Sequence, residues 1–148
     1  MRPKTIEEYV ENIDILEKTD GTASTGALAS RMGVRPPSVT EMLQKLKREG
    51  FIHYESYAGA TLTGSGKKIA RELMQKHRII ADLLEIFGVE REMAEVDACQ
   101  IEHHVSPETL KTLEKFVEFV RNDPVTTESI RCFMSSCQRR RPKNKDRK

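Results

Sequence analysis

Between Thr25 and Thr63 the hydrophobic period of the chain changes once, from helical to alternating, and glycine or proline marks each join. "TGALASRMG" reads as a short helix ending at Gly33. "VRPPSV" punctuates, and its two prolines suit the turn and the first positions of the next helix. From Ser38 to Arg48, Val39, Met42, Leu43 and Leu46 recur on one face, and Gly50 closes the segment. "FIHYESYAGATLT" then alternates, is rich in aromatic and β-branched residues and has Gly59 near its middle, which predicts a two-strand hairpin with a glycine tip. Helix, tight turn, second helix and hairpin, in that order, is the plan of a winged helix-turn-helix.

The flanking segments are helical. Residues 5–19 carry an apolar stripe of Tyr9, Ile13 and Leu16, with Val10 beside it, and Thr5 with Glu8 forms a capping-box pattern. "DGTAST" reads as a turn. Ser65 to about Phe87 predicts a long helix with Ile69, Leu73, Ile80, Leu83 and Leu84 apolar, broken by Gly88. Residues 91–104 predict another. "SPETLKTLEKFVEFVRN" is a helix capped at Ser106 with Pro107 at its first position, and "DPVTTESIRCFMSSC" a last one. The expected fold is mainly α with a small β-hairpin. Residues 1–64 would form the winged helix-turn-helix, 65–137 a helical domain, and 138–148 a basic, disordered tail.

Bulk properties narrow the function classes. Of 148 residues, 32% are charged, 37% hydrophobic and 5% aromatic, so core per residue is modest and pairing with a second copy is expected. No apolar run approaches the roughly 18 residues of a spanning helix. "MRPKTIEEYVENI" has no apolar segment of a signal peptide, so a cytoplasmic protein is expected. Three widely spaced cysteines fit reduced thiols. No Gly-rich phosphate loop or nucleophile constellation points to an enzyme. Net charge is only +2, but its distribution is uneven: 31–50 and 64–78 are basic, and 82–102 is acidic.

Nucleic-acid recognition would fall to the exposed start of the second helix of the pair. Arg35, Pro36, Pro37, Ser38, Thr40 and Glu41 can meet base edges and phosphates there, and backbone amides at a helix N-terminus favour a phosphate. The hairpin can reach the neighbouring backbone, although "YAG" carries no cation.

"DACQIEHHVS" concentrates metal-binding chemistry. In a helix Cys99, Glu102 and His103 stand at i, i+3 and i+4 and share one face, from which His104 points away. Glu8 and Glu11 stand at i, i+3 in the first helix, and His77 lies midway along the long one. Singly, an exposed Glu is usually a solvated helix face, a lone His a packed or surface residue, and a lone Cys a small buried hydrophobe. A helical bundle can bring them together. A redox-sensing regulator using Cys99, Cys132 and Cys137 is an alternative, as is a metal-independent winged-helix regulator; Cys132 and Cys137 are five apart and do not share a helix face well.

The ordered set "EEYVENI", "RPPSVTEMLQKLKREGFI", "LTGSGKKIA", "KHRII" and "CQIEHH" resembles the metal-dependent repressors of the diphtheria-toxin-repressor and manganese-transport-regulator family, over about residues 5 to 122. That resemblance implies a homodimer with an N-terminal winged helix and a helical dimerisation domain. It implies a divalent metal as co-repressor and double-stranded, palindromic operator DNA as partner. The length leaves no room for the SH3-like domain many members carry, so the compact form is expected. Matched position by position, the implied ligands are Glu8, Glu11, His77, Cys99, Glu102 and His103. Glu8 stands where the manganese branch has aspartate, and Cys99 matches the iron branch, where the manganese branch has glutamate. Glu95 falls near an ancillary ligand position of iron-type members. Two carboxylates favour a hard ion and a thiolate a softer one. The mixture puts Fe²⁺ ahead of Mn²⁺, with Zn²⁺, Co²⁺ or Ni²⁺ able to substitute in vitro.

Overall fold

A computed structural model describes residues 6–139, with side chains up to Ser136. The Thr5 cap and the tail from residue 140 onward lie outside the described residues, as does the side chain of Cys137. Two compact units divide the chain, Met1–Gln75 and Lys76–Lys148. Among the described residues, seven α-helices, one 3-10 turn and one two-stranded sheet are joined by short connections.

The first unit comprises α1 (Ile6–Asp20), α2 (Thr25–Met32), α3 (Pro36–Arg48), β1 (Ile52–Glu55), β2 (Gly59–Leu62) and the start of α4 (Gly64–Ile86). The expected stripes are the buried ones. Tyr9, Val10, Ile13 and Leu16 of α1 meet Leu28 and Met32 of α2, Val39, Leu43 and Leu46 of α3, and the inward strand residues Ile52, Tyr54, Ala60 and Leu62. Leu43 is wholly buried, so truncating it to alanine costs about 2–5 kcal/mol.

Local chemistry sets each boundary in this unit. The Ser24 hydroxyl accepts from the Ala27 amide to start α2, and Gly33, at φ 63°, ends it with a left-handed cap. Helix α3 starts at Pro36, two residues earlier than the predicted Ser38, because both prolines fit its first turn. The hairpin is antiparallel, with Ile52 opposite Leu62 and Glu55 opposite Gly59. Its tip is the turn 56–58, not glycine. Gly59 instead opens β2 at φ +85°, where a Cβ would lie 2.7 Å from the Thr22 hydroxyl and 3.0 Å from the Ala23 carbonyl. That close approach lets Ala23 and Ala60 exchange two 2.9 Å backbone hydrogen bonds, so part of the predicted "DGTAST" turn adds a one-residue bridge to the sheet.

Side chains tie these elements together. The Glu17 carboxylate accepts from the Leu62 amide at 2.7 Å and pairs with Lys67 at 3.4 Å. Lys47 of α3 donates to the Tyr54 carbonyl at 2.8 Å. The Thr63 hydroxyl accepts from the Gly66 amide and donates to the Gly50 carbonyl, capping α4.

The second unit contains the end of α4, α5 (Arg91–Ile101), a single 3-10 turn (Glu102–His104), α6 (Pro107–Asn122) and α7 (Pro124–Arg139). Its buried cluster is small: Ile80, Ala81 and Ala98, packed by Leu84, Val105 and Leu110. Arg121 pairs with Asp82 at 2.5 Å, and the rings of Phe87 and Phe116 stack at 6.3 Å. Ser106 caps α6 through the Thr109 amide, with Pro107 in its first turn. Asp123 accepts from the Thr126 amide at 3.0 Å and from its hydroxyl, and these bonds hold the carboxyl below its ordinary pKa. The predicted helix over 91–104 is shorter than expected: α-helical geometry ends at Ile101, and the backbone tightens before Val105 turns extended toward the Ser106 cap.

Candidate metal centre and nucleic-acid interface

His77 projects from α4 between two carboxylates of its own unit. Its Nδ1 stands 2.9 Å from Glu102 Oε2 and its Nε2 stands 2.7 Å from Glu95 Oε2. The other oxygen of Glu102 lies 3.5 Å from His103 Nε2. Glu102 is thus held between two imidazoles, with its side chain only 1% exposed. A carboxylate is rarely buried without such partners, because removing its charge from water costs several kcal/mol.

The electrostatics follow from this enclosure. Burial pushes the His77 pKa down, but the hydrogen bond to Glu95 and the adjacent Glu102 carboxylate outweigh it and hold the imidazole above its ordinary 6.5. The charged form is the one that donates from both nitrogens. A divalent cation is the other positive species that a buried carboxylate and two imidazoles accept. Ligands at about 2.1 Å from an ion and at right angles are about 3 Å apart, which suits the His77–Glu102 separation. The donor set therefore fits a borderline transition metal.

Within the second unit, then, His77, Glu102 and His103 come together. Cys99 lies on α5 with its side chain exposed, in contrast to buried Glu102. Glu102 keeps right-handed helical backbone, with its amide bonded to the Ala98 carbonyl, and the 3-10 turn runs on from there through His104. Cys132 is also exposed. Glu8 and Glu11 belong to the first unit, one turn apart on α1, and both are half-buried. The contact of Glu95 with His77 was not part of the expected ligand set. The seven-residue spacing of Glu95 and Glu102 was its signal, since two helical turns return a side chain to the same face.

In the first unit Arg35, Pro36, Pro37, Ser38 and Glu41 are exposed, as an interface needs, and Thr40 is half-buried. The Thr40 hydroxyl donates back to the Pro36 carbonyl at 3.1 Å. One expectation fails here. The start of α3 presents no spare amides for a phosphate, because Pro36 and Pro37 have none and the Ser38 and Val39 amides both bond the Arg35 carbonyl. The Arg35 side chain stands exposed beside these amides. Lys45, Lys47 and Arg48 are all exposed, and Lys47 donates to the hairpin. The fully exposed Tyr57 stands at the hairpin tip.

A winged helix-turn-helix followed by an all-helical unit with a carboxylate–imidazole cluster defines the class of the chain. Its sequence matches the family descriptions "Iron dependent repressor, N-terminal DNA binding domain" over residues 2–60 and "Iron dependent repressor, metal binding and dimerisation domain" over residues 63–131. The chain belongs to this iron-dependent repressor family, the group its sequence resembles. Solved structures agree. The crystal structure of T. acidophilum IdeR superposes with a TM-score of 0.68 at 26% identity, over 78% of this chain and 55% of that one. The manganese regulator SloR gives 0.60 at 33% identity, over 80% and 55%. A manganese-dependent transcriptional repressor in complex with manganese gives 0.67 at 25% identity, over 81% and 56%. The chain thus spans about half the length of these three.

Proposed function

We propose that this protein is a metal-dependent transcriptional repressor of the cytoplasm, in which a divalent cation acts as co-repressor for a homodimer on palindromic operator DNA. The observation that carries the reading is the buried Glu102 held between His77 and His103 in the unit that matches the metal-binding description. The ligand set is Glu8, Glu11, His77, Cys99, Glu102 and His103, with Fe²⁺ ahead of Mn²⁺ as the working ion. Arg35, Pro36, Pro37, Ser38, Thr40 and Glu41 read the operator. Functionally, 1–64 is the reading domain and 65–137 the linking and pairing domain.

When bound, the cation supplies a positive centre that carboxylates from α1 and donors from the second unit can share. The chain's residues do the rest. Glu8 and Glu11 commit α1, and with it the reading domain, to that centre. His77, Glu102 and His103 commit the pairing domain. Together they limit the orientations the reading heads sample, and so lower the ordering cost of binding two half-sites about one helical turn apart. Such coupling typically amounts to about 1–3 kcal/mol, or about 5–150-fold in DNA affinity. Pairing of two copies is supported by the apolar side chains that α6 and α7 leave exposed, Phe116, Phe119, Val125 and Phe133. The reading assigns no catalytic step.

Anaerobic calorimetric titration of the metal-free chain with Fe²⁺ and Mn²⁺ tests the ligand set. Wild type should bind both ions, and Glu11→Ala should keep its fold while losing affinity. Unchanged binding by Glu11→Ala removes α1 from the site.

A further inference from the structure

Glu95 lies outside the proposed ligand set, yet it makes the shortest contact to His77, 2.7 Å at Nε2. The two sides of the imidazole are unlike. On the Nδ1 side stands Glu102, 1% exposed, with its second oxygen near His103. On the Nε2 side stands Glu95, whose side chain is 48% exposed. The Nδ1 side thus faces a buried carboxylate that also neighbours His103, and the Nε2 side faces one solvent-facing acceptor.

We infer that Glu95 is a positioning residue: it accepts the Nε2–H of His77, fixes the tautomer and ring plane, and so turns Nδ1 toward the cation. A neutral imidazole carries one proton on two nitrogens, and the acceptor facing one nitrogen decides which lone pair is left for metal. Carboxylates in this role raise ligand basicity, and their loss typically costs about 10–100-fold in metal affinity. The assignment rests on the metal-binding reading above. It adds that the selectivity of His77 for Nδ1 coordination comes from a residue that does not touch the ion.

The test uses the full-length, ¹⁵N-labelled protein and Zn²⁺, a diamagnetic probe. In wild type, Zn²⁺ should shift His77 Nδ1 while Nε2 keeps its proton. Glu95→Ala should weaken Zn²⁺ binding by about 10–100-fold and mix the two tautomers. Glu95→Gln keeps an oxygen that accepts the Nε2–H, and should restore the tautomer and most of the affinity. Zn²⁺ on Nε2, an Ala variant unchanged in both readouts, or a Gln variant as weak as Ala would each overturn the assignment. A His77 that ignores Zn²⁺ altogether would instead bring down the metal-binding reading, and this assignment with it. Because Glu95 is surface-facing, the variants should fold, which circular dichroism checks.

Discussion

His77 and Glu102, 25 residues apart in sequence, meet at 2.9 Å, and the carboxylate that completes the pair is almost wholly shielded from water. Without metal the pair is held by a proton. In the proposed metal-bound form the same donors would face a cation. This exchange makes pH the first handle on the site.

In chelator, the raised His77 pKa means the folded state binds this proton more tightly than the unfolded state. The stability it contributes is present in full below about pH 6.5, the unfolded value, and is lost as pH rises through the raised folded value. Urea melts in EDTA should therefore show a stability term that declines above pH 6.5 and disappears in His77→Gln. In saturating Mn²⁺ the trend should reverse, because the ligands must shed protons to bind. Parallel pH trends with and without Mn²⁺ would separate His77 from the metal.

Cys99 is the departure from the manganese pattern. Cys99→Glu replaces a thiolate with a hard oxygen donor and should shift preference toward Mn²⁺ over Fe²⁺ and Zn²⁺. Competition titrations measure the ratio. An unchanged ratio would take the exposed thiol out of the ligand set.

The joint of β1, β2 and α4 supplies a packing test. A Cβ on Gly66 would stand 2.2 Å from the Phe51 carbonyl oxygen, a backbone atom with little room to move. Gly66→Ala should cost about 1–3 kcal/mol by overpacking. A Cβ on Gly26 in α2 meets nothing within 4 Å, so Gly26→Ala should stabilise by about 0.4–1 kcal/mol. Denaturant melts that rank the two variants the other way would contradict this geometry.

Arg35 stands exposed at the start of α3, where amides are spent or missing. If it neutralises one phosphate, Arg35→Ala should lower the slope of log affinity against log salt by about 0.9. Lys47, bonded to the Tyr54 carbonyl, should change stability more than salt slope when replaced by methionine. Filter binding from 50 to 200 mM salt compares them.

The winged helix was legible because its signals are local. The i, i+3 spacing of Val39, Met42, Leu43 and Leu46, the alternation in β1 and β2, and the glycines at 33 and 50 each work within a few residues. The Ala23–Ala60 bridge was not, since one residue carries no period. Nor was the end of α5, where neither glycine nor proline precedes Glu102 and the break answers to the Ser106 cap. The loss of amides at α3 is written in "RPPS", because two prolines remove the donors that a helix N-terminus otherwise offers. Ligand types came from spacing and resemblance. The Glu95–His77–Glu102 arrangement pairs α4 with α5 and the turn after it: the seven-residue spacing puts both carboxylates on one face, but no local signal says that His77 meets that face.

Metal occupancy should govern operator affinity. Fluorescence anisotropy of a duplex selected from a random pool with Mn²⁺-loaded protein, measured anaerobically in EDTA and in excess Fe²⁺ or Mn²⁺, tests it directly. Binding should be about 5–150-fold tighter with metal. Equal affinity in EDTA and in metal would contradict it.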